Sequence, residues 1–386
     1  MERFLRHFPL LVLLFYFSTP ALALSLVERS KISLDLGGYY KNLFFTSKRQ
    51  ATGDFYLADL NRFRLEWDAH FLEKFSANVV WDQELIGGNY IATEEFATRQ
   101  ANRNIATPDL EYQLHRSNHL FYGQNFYRAY LQYKSSWMTV TVGRQRVDWG
   151  VMRINPITDL FIRPPIFDVE KDEVIAPVAA NLQIPIGSTW KLNPVYTVQS
   201  DFDRSRTGLR VTKTIWRFDV SALGGRFLRD TMAGFDFDGD IADIGVRGAL
   251  TQDWTGAGNN FIQAAVGLDY GFPNTLYLAA EYFFNGQGTN NRLTALPFPA
   301  TAPFFQTAHR HFFGAEARYE LTPLWKILLI SQTDIVGKSI VGNLETTYSL
   351  FSWMDLNGGA LFPVGRDAGE FGAVPNLYYL QAQCFF

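Results

Sequence analysis

Apolar and polar residues alternate along most of the chain. In residues 62–71, every second side chain is apolar and the side chains between them are charged or polar. A period of two predicts an extended strand with one apolar and one polar face. The same alternation recurs in residues 127–134, 276–285, 313–321 and 343–350. The pattern predicts an all-β architecture.

Turns between these segments predict how many strands there are. Short turns are expected near residues 72–74, 135–136, 187–188, 213–214, 242–243, 273–274, 322–323 and 351–352. Longer connections lie between them, the largest at 87–123, 147–173 and 286–308. Bacterial outer-membrane barrels alternate short and long connections in this way. We expect an antiparallel up-and-down transmembrane β-barrel of about 18 strands, with 16 as the alternative. Either barrel is wide enough for a water-filled lumen.

Composition narrows the class of protein further. Aromatic residues make up 16% of the chain, yet the mean hydropathy is −0.08. After Ala23 no apolar run is long enough for a membrane-spanning helix. High aromatic content with near-zero hydropathy is typical of a barrel wall in which alternate residues face water. The net charge of −3 gives no reason to expect nucleic acid as a partner, and one cysteine excludes an intrachain disulfide.

The amino-terminal segment has the features of a secretory signal peptide. Arg3 and Arg6 precede an apolar stretch from Phe8 to Phe17, and Ala21 and Ala23 form a small-x-small cleavage site. We expect residues 1–23 to be removed. Residues 24–386 would then form one barrel domain.

The carboxy-terminal segment alternates up to the last residue. The apolar positions of this candidate assembly signal are Tyr378, Leu380, Ala382, Cys384 and Phe386. This ending resembles the terminal strand of Gram-negative outer-membrane barrels, which the barrel-insertion machinery reads. The resemblance implies an integral bacterial outer-membrane protein in contact with lipid and lipopolysaccharide.

A second sequence motif resembles a narrower group of families. Residues 143–150 read Gly-Arg-Gln-Arg-Val-Asp-Trp-Gly, and residues 155–161 read Asn-Pro-Ile-Thr-Asp-Leu-Phe. Together they resemble a sequence motif of porin-like outer-membrane families, namely the alginate-export-type barrels and related uncharacterised families. The resemblance implies a monomeric passive channel or exporter of about 18 strands. The long acidic and basic runs expected of a polyuronate conduit are not evident.

The connection at residues 147–173 is the strongest candidate for a functional loop. Loops of this length are usually functional or disordered, and its aromatic residues Trp149, Phe161 and Phe167 favour packing over disorder. We expect it to fold into the pore. An outward loop that covers the rim is the alternative.

Charged residues on the polar faces of the strands, and the arginines in and just before the 147–173 connection, are candidates for lining or constricting the pore. They are Arg62, Arg64, Glu66, Asp68, Asp82, Arg128, Lys134, Arg144, Arg146, Arg153 and Arg163. One interpretation is that they act on permeating solutes. The other is that they pair with one another. Arg144 and Arg146 share the parity of Val140 and Val142, which places them on the lipid face. Either they lie above the hydrocarbon, or Gly143 forms a bulge that redirects them.

No motif indicates catalysis or a metal site. His115 with His119, and His309 with His311, lack the surrounding carboxylates or cysteines that metal sites usually need. Ser117 with His119 stands in no recognisable catalytic motif. We expect no enzyme activity, no metal and no cofactor.

The residues taken together predict an outer-membrane channel for passive diffusion of small polar solutes. An export or uptake conduit for an oligo- or polysaccharide is the first alternative. A structural or adhesive barrel without transport is the second.

Overall fold

The structure of the chain is a computed structural model. It describes residues 24–29, 32–103, 109–162, 167–171, 173–174, 176–198, 205–227, 230–256, 258–291 and 307–386. The predicted signal peptide and Arg163 lie outside the described residues, as does most of the predicted loop at 286–308.

Eighteen of the twenty strands in the described part of the chain form a closed antiparallel barrel, which confirms the predicted architecture. The remaining strands, β1 and β5, each pair with a single barrel strand. The strands are β1 Leu24–Arg29, β2 Ile32–Lys48, β3 Phe55–Phe71, β4 Phe75–Gly87, β5 Glu111–Arg116, β6 Leu120–Lys134, β7 Thr139–Arg144, β8 Val178–Ile186, β9 Trp190–Thr197, β10 Arg206–Ile215, β11 Phe218–Phe227, β12 Asp230–Ile241, β13 Ile244–Trp254, β14 Asn260–Gly271, β15 Tyr277–Asn285, β16 His311–Thr322, β17 Trp325–Asp334, β18 Ser339–Phe351, β19 Met354–Gly365 and β20 Leu377–Phe385.

The last strand closes the barrel against the first long one. β20 pairs with β2 from Tyr39 opposite Phe385 to Thr46 opposite Tyr378. Beyond the strand, the backbone N–H of Phe386 donates to the carbonyl oxygen of Gly38 at 3.1 Å. The predicted assembly segment is therefore the seam strand, although its role as a signal stays a prediction.

Local backbone conformation explains the short turns. Ala242 and Asp243 both have positive φ, as do Leu72 and Glu73, which suits two-residue hairpin turns. One predicted turn was misplaced. Lys213 and Thr214 continue β10, opposite Val220 and Asp219, and the chain turns only after Ile215.

The two faces of the wall differ in polarity. Outward side chains such as Leu131, Leu344 and Leu380 are large, apolar and exposed, whereas inward ones such as Arg62 and Asp236 are charged and buried. This is the polarity of a wall between lipid and a polar interior. The helical elements in the described part of the chain are a 3-10 helix, Asn89–Ala92, and α1, Glu94–Arg103. None of the described helices has the length and apolarity needed to cross a membrane.

Candidate functional site

The connection between β7 and β8 leaves the wall at a glycine. Gly143 has a φ of +127°, and a Cβ there would lie 2.2 Å from the carbonyl oxygen of Ala129. Only glycine suits both the conformation and the close approach. Arg144 is consequently buried and lies 3.2 Å from Glu111 rather than facing outward. We refer to residues 147–174 of this connection as the strap.

The first part of the strap packs on the inner face of β8–β14. Its apolar side chains Val147, Trp149, Leu160, Phe161 and Ile162 form one buried cluster with inward residues of these strands. The indole Nε1–H of Trp149 donates to Oδ1 of Asn193 at 2.8 Å. Two inward glycines make room, since a Cβ at Gly208 would lie 2.8 Å from the Trp149 ring and one at Gly225 would lie 2.9 Å from Leu160. This part resembles the core of a soluble domain.

The middle of the strap is held by one carboxylate of the wall. Glu281 on β15 accepts backbone hydrogen bonds from Ile154 at 3.0 Å and Asn155 at 3.1 Å, and a further one from Arg153. Asn155 also accepts a hydrogen bond from Gln332 on β17, at 2.6 Å. The turn of the strap is thus fixed to a third part of the wall.

The last part of the strap ends in ion pairs with β2 and β3. Glu170 lies 2.7 Å from Arg62 and 2.8 Å from Lys41. Glu173 lies 2.8 Å from Arg62 and 2.7 Å from Arg64. The strap therefore contacts two regions of the inner face, β8–β14 through its apolar side chains and β2–β3 through Glu170 and Glu173. Val174, which follows Glu173, belongs to the apolar cluster again.

Wall carboxylates and one loop arginine complete this arrangement. Arg64 lies 2.6 Å from Asp82, and Arg62 lies 2.6 Å from Glu84, both on β4. Arg99 of α1 pairs with Glu170. We call the eight residues the ion cluster, and it consists of Lys41, Arg62, Arg64, Arg99, Asp82, Glu84, Glu170 and Glu173. Four positive side chains meet four negative ones, so the ion cluster is formally neutral.

The charges around Glu170 and Glu173 keep both carboxyl groups ionised. Burial alone would raise their pKa values. The positive charges of Arg62 and Lys41 outweigh burial, and the pKa of each group lies below its ordinary range. Acid must therefore go well below the usual carboxyl range before this end of the strap loses its charge.

Asp159, near the apolar end, is shifted the other way. Burial, together with the nearby Asp148 carboxylate, raises the pKa of this carboxyl to about 8, although hydrogen bonds from the backbone N–H groups of Ile162 and Phe161 partly oppose the rise. These two bonds measure 3.0 and 3.1 Å. The two ends of the strap therefore have opposite electrostatic characters.

The other predicted charges lie at several places along the interior. Asp68 accepts a hydrogen bond from Asn78 at 2.7 Å, and Glu66 is its neighbour on the inner face of β3. Lys134 is exposed at the short-turn end of β6. The guanidinium of Arg128 donates to the carbonyl oxygen atoms of Tyr127 and Val174, and no described carboxylate lies within 4.0 Å of it.

Arg146, just before the strap, and Arg153, within it, make ion pairs with partly exposed side chains. Arg146 is half exposed and lies 2.7 Å from Asp148. Arg153 lies 3.6 Å from Asp269, and its guanidinium stands over the ring of Tyr277. Sequence reasoning missed Lys41, Glu170, Glu173 and Glu281 as strap contacts. The sequence did carry a signal for Lys41, because it is a lysine at an inward position of β2, between the inward residues Tyr39 and Leu43.

The predicted loop at 87–123 also contacts the inner wall. Tyr90, Ile91 and Phe96 pack on inward residues of β2–β4, in the same cluster as Leu43 and Leu60. The described histidines do not form a metal site. His309 contacts Asp334 at 2.7 Å, and the described residues contain no group of three or more metal-ligating side chains.

Comparison with known proteins supports the fold. The chain is similar to the solved structures of the outer-membrane protein opdK from Pseudomonas aeruginosa (TM-score 0.58, 9% identity, 92% of this chain and 98% of that chain) and OccAB4 from Acinetobacter baumannii (0.59, 8%, 93% and 99%). It is also similar to the outer-membrane protein OprD from Pseudomonas aeruginosa (0.56, 10%, 96% and 97%). At this identity the likeness establishes the fold, an 18-stranded barrel of the outer-membrane type.

Sequence comparison adds no family. No protein-family model matches the chain, and no curated protein matches it in sequence. The broad resemblance to porin-like outer-membrane barrels agrees with the structural neighbours, whereas the resemblance to alginate-export-type barrels is not confirmed.

Proposed function

We propose that this chain is an outer-membrane channel for passive diffusion of small polar solutes, with a lumen narrowed by the strap. The observation that carries the proposal is a closed 18-stranded barrel with a polar inner face, crossed by a segment anchored at β8–β14, at β15 and at β2–β3. A barrel of this size encloses an aqueous space unless something fills it. The strap would reduce that space to a channel.

The predicted pore residues would then have two different roles. Arg62, Arg64 and Asp82 hold the strap through the ion cluster, where opposite charges leave little net field. Arg128 and Arg153 are better candidates for acting on solutes. The first has no described carboxylate partner, and the second is about one-third exposed beside Asp269.

The partners follow from the same proposal. The exposed apolar outer face would contact lipid and lipopolysaccharide. The seam strand β20, with its apolar outward positions ending at Phe386, would be recognised by the barrel-insertion machinery. The proposal assigns the chain no enzymatic activity.

The phrase at residues 143–161 favours a second candidate function, a conduit for an oligo- or polysaccharide. Its residues lie in the strap and in the glycine turn that starts it. A conduit for long chains would need a continuous path past the strap. Chain length of the permeating sugar therefore separates the two candidates.

Planar-bilayer conductance together with liposome swelling tests the proposal. We expect discrete ohmic steps, with swelling rates that fall steeply from monosaccharides to trisaccharides. Vanillate, present in one structure of opdK, supplies a small anionic probe for the same assay. Absence of conductance from an assembled barrel would refute the channel and favour a structural role. Faster swelling or current block with long sugar chains would favour the conduit.

A further inference from the structure

The outer face of the barrel carries polar side chains in a region that should be apolar. Asn42 on β2, Asp59 and Asn61 on β3, Gln83 on β4 and Gln124 on β6 occupy outward positions of neighbouring strands. We call these five residues the outer polar patch.

Strand alternation fixes their direction. Leu43 and Leu60, which adjoin patch residues in sequence, are 0% exposed on the inner face, so the patch residues lie on the opposite face. Phe44 and Leu85 share the outward face and are exposed. Pairing places patch residues next to one another, with Asn42 opposite Asn61 and Gln83 opposite Gln124.

The patch lies within the apolar band of the wall rather than at its rim. On the outward face of β3, Asp59 and Asn61 are followed by Phe63 and Leu65 on one side and preceded by Leu57 on the other. The outward positions of β17–β20 provide the contrast. They carry apolar, small or hydroxyl side chains, with no carboxylate or amide. Polar groups facing hydrocarbon are unfavourable and usually have a partner.

Hydrogen bonds in the outer polar patch leave some of its side-chain donors and acceptors without a partner among the described residues. Asn42 Nδ2 donates to Asp59 Oδ1 at 2.7 Å and to Asn61 Oδ1 at 3.1 Å. Asn61 Nδ2 donates to Asp59 Oδ1 at 3.2 Å, and the hydroxyl of Tyr40 donates to Asn61 Oδ1. Gln83 Oε1 accepts from the hydroxyl of Tyr122 at 3.2 Å. The side-chain amide of Gln124 makes no hydrogen bond with any described residue. Lipid chains offer neither donors nor acceptors, so the patch requires a polar partner at this depth.

We propose that the outer polar patch is the interface with a second copy of this chain in the same membrane. The partner must present hydrogen-bonding groups inside the bilayer, which only another membrane-embedded protein surface does. A copy inserted in the same orientation presents the same patch at the same depth. Amide side chains both donate and accept, so this surface is able to pair with itself about an axis along the membrane normal.

The size of the face suits such an interface. Four strands at a spacing of about 4.8 Å, over an apolar band of about 25 Å, give two facing surfaces on the order of 1,000 Å². That reaches the lower limit of about 1,000 Å² for a specific interface. The interaction is therefore expected to be specific, and weaker than that of an obligate oligomer.

The test measures the mass of the whole assembled protein in lipid nanodiscs, by native mass spectrometry. We expect a dimer for the native chain, and a monomer for the combined Asp59→Leu, Asn61→Leu and Gln124→Leu variant. Gln252→Leu is the matched control, because it makes the same kind of change on the outward side of β13, away from the patch. The control should keep the native mass.

A single substitution keeps the test decisive if the triple variant does not assemble. Gln124→Leu removes no hydrogen bond within the described chain, so it should fold normally and weaken association at least tenfold in energy transfer between labelled copies in liposomes. A monomeric native chain would overturn the proposal. So would an oligomer that keeps its affinity in the Gln124→Leu variant, or a stoichiometric complex with a different polypeptide.

Discussion

The two ends of the strap are attached to the wall by different kinds of interaction. At one end, Trp149 and Leu160 are buried among apolar side chains of β8–β14. At the other end, Glu170 and Glu173 are buried among positive side chains of β2, β3 and α1. Burial of apolar side chains contributes strongly to stability and tolerates substitution by apolar side chains of similar volume. A buried ion pair adds little net stability, and it becomes destabilising when one of its partners is removed.

This difference suggests separate tasks for the two ends. The apolar end supplies much of the free energy that keeps the strap inside the barrel. The ion cluster fixes where the other end lies, since carboxylates desolvated to this degree need partners in defined positions. A strap attached only by apolar contacts would be able to shift its position along the wall more easily. We therefore expect substitutions at the two ends to differ in size, in tolerance and in pH dependence.

Removing Arg62 should have the largest effect. Arg62 is almost fully buried and lies close to Asp82, Glu84, Glu170 and Glu173. Arg62→Met keeps much of the volume but leaves excess negative charge, and should lower the free energy of unfolding by about 3–5 kcal/mol. Urea unfolding in phospholipid vesicles measures the change.

Arg217→Met is the matched control for that substitution. Arg217 is 47% exposed and its partner Asp240 is 40% exposed, so its loss should change the free energy of unfolding by about 0–1 kcal/mol. Equal losses of unfolding free energy in the two variants would show that Arg62 in the ion cluster matters no more for stability than an arginine in an exposed ion pair.

At the apolar end, stability should depend more on the volume of the buried side chain than on which apolar residue supplies it. Leu160→Ala should lower the free energy of unfolding by about 2–4 kcal/mol, because it leaves a cavity against β10 and β11. Leu160→Met preserves volume and should lower it by less than about 1.5 kcal/mol. The same vesicle unfolding assay applies. If Leu160→Met were as harmful as Leu160→Ala, this end would not behave as an apolar core.

The two ends should respond to pH in opposite directions. The pKa of Asp159 is raised to about 8, so the stability it contributes is full at low pH and is lost as pH rises through about 8. The pKa values of Glu170 and Glu173 are lowered, so their contribution is present above about 4.3 and is lost as pH falls below it.

Hydrogen exchange of strap peptides, corrected for the intrinsic pH dependence, measures both responses. Peptides around Asp159 should exchange faster at pH 8.5 than at pH 6, and those around Glu170 should exchange faster only below about pH 4. Asp159→Asn should abolish the first response and leave the second. Parallel responses at the two ends would contradict their opposite charge states.

The smallest expected effect concerns ion selectivity. Arg153 is about one-third exposed between the ends of the strap and lies 3.6 Å from Asp269. Arg153→Glu should shift the reversal potential toward cations at low salt, with the shift screened over about 10 Å at 0.1 M. Lys326→Glu changes the same charge at the exposed end of β17 and should leave the potential nearly unchanged. An equal shift in both variants would remove Arg153 from the permeation path.

The wall could be predicted from the sequence because its determinants are local. A period of two sets the faces, and two-residue turns such as Ala242-Asp243 set the pairing of neighbouring strands. The predicted turn at Lys213-Thr214 failed because both residues also fit a strand. β1 and β5 were missed, since each is short and pairs with only one barrel strand.

The site was predicted only in part because its contacts are distant in sequence. Arg62 and Glu170 are 108 residues apart, and nothing local specifies which inward charge meets which strap residue. Gly143 did carry a local signal, a glycine at the end of β7 before two arginines. The sequence left open whether it redirected Arg144, and its positive φ resolves that question.

Single-channel conductance of a variant with a shortened strap shows whether the strap narrows the lumen. Replacing residues 153–165 with a short Gly-Ser linker removes the segment held by Glu281 and the apolar side chains of Leu160, Phe161 and Ile162. Glu170, Glu173 and the wall strands stay in place. Assembly would be verified by heat-modifiable migration. We expect a conductance several-fold above that of the parent, because the strap would no longer narrow the lumen. An assembled variant that conducts like the parent would show that the strap lies outside the permeation path.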